Sequence, residues 1–142
     1  MKDNDQQVLI QSRMEQARAA LEEADILFSL SKTTFGAVNR AYYAMFYAVL
    51  ALLQQIGKIP RKHSGALALF DSEFVKKGVF PKELSRHLHN AFKSRQVSDY
   101  QSVEPICRED AEEILKNAQF FVRTVEEYLK GLANGGETKE TG

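Results

Sequence analysis

Apolar residues recur along the first part of the chain at spacings of three and four: Ile10, Met14, Ala17, Leu21, Ala24 and Phe28. That spacing draws one face of a long helix, with Asp3, Asn4 or Asp5 expected to cap it. The pattern breaks at Ser31–Thr34, where Thr33 or Thr34 is expected to cap a second helix ending near Ile56. This second helix is apolar nearly all round, as a helix covered by several neighbours should be. "GKIPRKHSG" then reads as a loop, because Gly57 suits a helix C-terminus and Pro60 obstructs continuation. Ser64 is expected to cap a shorter third helix bearing Leu67, Phe70 and Phe74, stopped by Gly78. Pro81 suits the first turn of a fourth, and Glu109 and Asp110 the start of a fifth. The fifth stripe is Ala111, Leu115, Ala118, Val122, Val125 and Leu129. No stretch alternates as a strand would. The expected fold class is all-α: an antiparallel up-and-down bundle of four long helices plus one short helix.

Length and composition agree with one such bundle. The chain has 142 residues, 44% of them hydrophobic and 27% charged. This suffices for one core without a staple. Cys107 is the single cysteine, so no internal disulfide forms and a reducing compartment fits. No basic, apolar leader begins at Met1 and no stretch is apolar enough to span a bilayer comfortably. The expectation is a cytoplasmic protein with no membrane role. "ANGGETKETG" at the end has nothing to bury and reads as a mobile tail.

Net charge is zero, but its distribution is uneven. Between Lys58 and Arg95 stand nine Lys or Arg and three acids, together with all three histidines. A basic stretch on a neutral protein is compatible with an anionic ligand or acidic partner, and equally with a solvated polar face.

Two features carry candidate chemistry. On an ideal wheel with Leu88 at zero, Leu84 and Phe92 fall about 40° to either side and Arg95 falls within about 20° of the centre. A guanidinium in the middle of an apolar stripe needs a partner. It snorkels to water, pairs with Asp99, or lines a cleft where it meets an anionic oxygen. On the second helix Arg40, Tyr43, Tyr47 and Gln54 lie three, four and seven apart and form one polar-tipped row. Such a row is the rim of a core or the wall of a groove.

The remaining groups say less. His87 and His89 face different sides of one helix, which excludes a metal pair within one turn, and no Glu-x-x-His pair occurs. No metal site and no cofactor is expected. His63 is expected at the surface, where its best role is anion contact or proton transfer beside Arg61 and Lys62. No phosphate-binding glycine loop is present, and no serine has an evident base and orienter.

Three segments match a known pattern in the right order: "AVNRAYYAMFYAVLALL", "KHSGALALFDSEFVKKG" and "FPKELSRHLHNAFKSRQVSDY". They resemble the HEPN domain family, and more narrowly its small stand-alone branch in bacteria and archaea. The resemblance spans roughly residues 5–131 and leaves 132–142 as a disordered tail. It implies a homodimeric helical bundle. Catalytic members of that family are metal-independent ribonucleases with an Arg, four to six residues, then a His. The Arg is thought to hold the scissile phosphate while the His moves a proton. Stand-alone members are often encoded beside a minimal nucleotidyltransferase, some as toxin–antitoxin pairs. Here Arg95 carries over, while Tyr100 stands at the His position and Asp99 precedes it. A phenol of ordinary pKa near ~10 is a poor base at neutral pH.

The resulting expectation is a dimeric protein that binds a nucleotide or RNA phosphate and acts with a nucleotidyltransferase partner. Arg95, Arg40, Tyr43, Tyr47 and His63 are its candidate ligand residues. The alternatives are a ribonuclease toxin using Arg95 with Tyr100 or Asp99, and a non-catalytic interaction module whose Arg95 is satisfied internally.

Overall fold

The computed structural model describes residues 2–99 and 106–141, with side chains over 4–96 and 106–134. Helices form where the periodicity places them: α1 Lys2–Leu30, α2 Phe35–Gln55, α3 His63–Phe70, α4 Lys82–Asp99 and α5 Arg108–Thr141. A single π turn, Asp71–Val75, extends α3. Among the described residues there is no strand, and the architecture is the all-α up-and-down bundle of four long helices and one short one.

The apolar circumference of α2 follows from its position. It packs against α1, α3, α4 and α5, and eleven of its 21 residues are buried. Five of the eleven are alanines (Ala37, Ala41, Ala44, Ala48, Ala51), and α1 buries Ala17, Ala20 and Ala24. Small side chains at these turns let helix axes approach closely, while Phe70, Phe121, Leu84 and Leu88 fill the wider spaces between the other helices. At the α1–α2 corner a methyl on Gly36 would stand 3.1 Å from Leu27 Cδ1, so that approach also needs a small residue.

Helix ends depart from the expected caps, and the reasons are local. Lys2 already belongs to α1, so Asp3, Asn4 and Asp5 lie inside the helix rather than before it. The N-cap of α3 is Lys62, without a side-chain hydrogen bond, and Ser64 lies within the helix. Thr34 is the N-cap of α2, yet its hydroxyl turns away and donates to the Ile106 carbonyl at 2.6 Å. Pro81 stands one residue before α4. The C-terminal signals are met as read: Gly57 and Gly78 have φ of 73° and 81°. After each glycine the next N–H reaches back five residues, Lys58 to Leu53 at 2.8 Å and Val79 to Phe74 at 2.8 Å.

Two residues, Arg108 and Ile106, tie the start of α5 to the α1–α2 corner. Arg108 Nη2 donates to the Phe28 carbonyl at 2.7 Å, with the guanidinium carbon 4.1 Å from the Phe28 ring centroid. Thr34 holds the other through the Ile106 carbonyl. Together they fix where α5 starts against the bundle. At its far end α5 continues through the stretch 132–141 that the sequence reads as a tail.

Candidate functional site

The candidate ligand residues Arg40, Tyr43, Tyr47, His63 and Arg95 come together at one place, built from α2, the first residue of α3 and the last turns of α4. The core face of α2 carries Tyr42, which is fully buried. Next to it the half-buried row Arg40, Tyr43, Tyr47 lines the rim. Tyr43 and Tyr47 rings are 5.9 Å apart, and Phe46 lies 6.1 Å from Tyr43. On α4 the stripe of Leu84, Leu88 and Ala91 is buried, and Arg95 follows on the same face, half-buried. The wheel therefore places Arg95 correctly: its guanidinium carbon lies 5.6 Å from the Tyr42 centroid and 5.4 Å from the Tyr43 centroid.

Aromatic faces carry partial negative charge, so a cation against two of them is favoured where water is partly excluded. Arg40 uses the same ring from α2, 5.1 Å from the Tyr43 centroid, and forms a 3.7 Å ion pair with Glu23. Arg40 Nε is buried and makes no hydrogen bond among the described residues. Two guanidinium groups thus flank a shelf of aromatic rings, an arrangement suited to a phosphate with a base or sugar beside it.

His63 differs from its expected surface position. The bend after Pro60 returns the chain so that its imidazole lies flat on Phe46, 4.1 Å between centroids and 8° between planes. Its Nδ1 is 2.7 Å from the Tyr42 hydroxyl. Burial lowers the His63 pKa, and the Arg95 charge lowers it further. Burial pushes the Tyr42 phenol well above the usual range, with Arg95 acting in the opposite sense, so Tyr42 keeps its proton. Tyr42 and Phe46 were not among the residues singled out by sequence. Their one signal was the aromatic density of "AYYAMFY", which core packing explains equally well.

The depressed His63 pKa sets a sign for pH dependence. An unfolded His63 titrates at about 6.5. The fold binds that proton less well, so this contribution to stability is complete above about pH 6.5. It is lost as pH falls through the lower, folded value. Thermal melts of the wild type are expected to decline between pH 7.5 and 5.5 more steeply than those of His63→Phe. Equal slopes would show that His63 is not the group responsible.

Other clusters are structural in form. Asp71 accepts hydrogen bonds from Ser85 Oγ and His89 Nε2, each at 2.7 Å, and so ties α4 to the π turn. The acid sits between serine and histidine, so no imidazole is placed to take the serine proton. Among the described residues no group of three or more His, Cys, Asp or Glu is arranged to hold a metal ion, and no helix is long and apolar enough to cross a membrane. Cys107 is exposed. Asp99 is the last residue of α4, but its side chain and the whole of Tyr100 lie outside the described residues.

Comparison with known proteins bears on the same segments. The HEPN domain model matches residues 10–128, which include every element of this site. The chain belongs to the HEPN domain family. It is 35% identical over 129 residues to a "UPF0332 protein" of Thermotoga maritima, covering 91% of this chain and 97% of that one. Two proteins of Methanocaldococcus jannaschii, each named "Putative toxin", are 36% identical to it. One matches over 120 residues (84% of this chain, 81% of the relative) and the other over 123 (87% and 90%). Within the HEPN fold, Arg95 thus stands in the last turns of α4, against the aromatic shelf of α2.

Proposed function

We propose that this HEPN protein is a dimer that binds the phosphate of RNA or of a nucleotide at Arg95, and that it acts with a nucleotidyltransferase partner in a toxin–antitoxin-like module. The observation that carries the reading is the seat of Arg95. A guanidinium at the end of a buried stripe, backed by two tyrosine rings and beside Arg40, is preorganised for an anionic oxygen. The half-buried Tyr43 and Tyr47 offer stacking area for a base. The partner and the dimer are supported by the family resemblance of the three segments described above, and the dimer also by the need to cover a rim rich in aromatics.

The second reading, a metal-independent ribonuclease toxin, is favoured by the two relatives whose names describe a toxin. The proton chemistry weighs against robust cleavage. Tyr100 at the family's His position needs its pKa lowered by about three units to act at neutral pH, and Asp99 beside it opposes that.

Sedimentation at micromolar concentration is expected to give about twice the chain mass; a monomer throughout would remove the dimer. RNA incubated with chelator is expected to be cut weakly or not at all by the wild type, and faster by Tyr100→His. Strong wild-type cleavage abolished by Arg95→Ala would make the ribonuclease reading the better one.

A further inference from the structure

The Arg95 site contains a second polar group, His63, whose protonation is decided from inside the core. Tyr42 is fully buried, and among the described residues its hydroxyl has one hydrogen-bond partner, His63 Nδ1 at 2.7 Å. A buried phenol that keeps its proton must place it on an acceptor. Nδ1 is that acceptor. A neutral imidazole carries one hydrogen, so it resides on Nε2, across the ring from Tyr42. His63 itself is half-buried, and among the described residues its Nε2 makes no hydrogen bond. Arg95 and His63 flank the same Tyr42 ring, at 5.6 Å and 5.7 Å from its centroid.

We propose that Tyr42 locks His63 in its Nε2–H tautomer, and that this N–H is an uncharged donor which joins Arg95 in holding an anionic oxygen of a phosphodiester. The ligand half rests on the phosphate-binding reading above; the tautomer half does not.

Burial and the Arg95 charge keep the ring neutral. From α2 it meets Tyr42, Tyr43 and Phe46, and from α4 Phe92 and the Arg95 charge. Its chain neighbours are Lys62 and Ser64. Among the described residues no carboxylate is in contact with the ring. Charging the ring would require a proton on Nδ1, which would turn the Tyr42 hydroxyl away from its acceptor in a field already positive. His63 is therefore a binding residue and Tyr42 the residue that positions it. A site built this way holds phosphate through neutral pH without taking up the proton of a ribose hydroxyl, which agrees with weak cleavage.

The test separates the two halves. Long-range nitrogen–proton correlation spectra of the labelled wild type at pH 7.5 are expected to show His63 protonated at Nε2; an Nδ1–H ring overturns the proposal. Binding is then read with a 2′-O-methyl oligouridylate, which carries diester phosphates and cannot be cleaved through its 2′ position. His63→Phe keeps the stack on Phe46 but has no donor and is expected to bind about 10-fold more weakly, the lower range of a hydrogen bond to a charged acceptor. His63→Gln, which restores an N–H near the same place, is expected to recover most of that loss. Wild-type affinity should stay level from pH 8 to 6.5, because burial and the Arg95 charge keep the ring neutral. In Tyr42→Phe the same spectra are expected to show the His63 proton shared between Nε2 and Nδ1; a proton still held on Nε2 alone overturns the lock. A wild-type affinity that climbs over that range and stops climbing in His63→Phe overturns the donor role. Absence of oligouridylate binding by the wild type overturns the phosphate reading and the donor role together, and leaves the tautomer to be judged by its spectrum.

Discussion

Arg95→Ala is expected to weaken binding of a 2′-O-methyl oligoribonucleotide by about 1.5–3 kcal/mol, roughly 10- to 150-fold, with the fold intact. The range is that of a hydrogen bond to a charged group in a partly dry site. The guanidinium rests against the Tyr42 and Tyr43 rings, 5.6 Å and 5.4 Å from their centroids, so both its position and its reduced exposure are supplied before a ligand arrives. Removing it also removes two cation–π contacts, each worth about 0.5–2 kcal/mol. A thermal melt must therefore accompany the titration. If Arg95→Ala unfolds the protein and the wild type never binds nucleotide or RNA, Arg95 belongs to the architecture and the interaction-module reading prevails.

Phe70→Ala is expected to lower the free energy of unfolding by about 3–5 kcal/mol, measured by urea denaturation. Phe70 is completely buried and stands among Phe74, Phe80 and Phe121 at centroid distances of 6.1, 6.0 and 5.3 Å. These four rings join α3, the π turn, the approach to α4 and α5, so no single element can move in to fill the space. Loss of so much stability from one side chain is a large share of what a domain of this size has. A change below about 1 kcal/mol would mean that this aromatic cluster collapses around the gap. Because His63 begins the helix that Phe70 anchors, oligonucleotide binding should be compared only under conditions where both proteins are folded.

The helices were legible because their apolar spacing is a local property. A stripe at three and four needs only the next turn to be read, and glycines 57 and 78 mark C-termini because φ near 75° is a local demand as well. The inward face of Arg95 follows from the same arithmetic, since Leu88, Phe92 and Arg95 share one helix. N-termini were less legible. Thr34 had the right chemistry to cap α2, but its hydroxyl serves Ile106, 72 residues away, and no window along the chain contains that partner.

His63 marks the limit most clearly. By sequence it was a polar residue in a basic loop after a proline, which belongs at the surface. Its stack on Phe46 and its bond to Tyr42 depend on how α3 returns across α2, and that path is set by burial of Phe70 and Phe74 far from the histidine. The sequence by itself determined the all-α class, the helix order, the crowded second helix and the inward arginine, because each is a matter of periodicity within one segment. Only the tertiary structure decided which rings surround Arg95, that Tyr42 rather than a surface group holds His63, and which proton the imidazole keeps. Those are contacts between segments, and their energies arise only when packing brings distant residues out of water together.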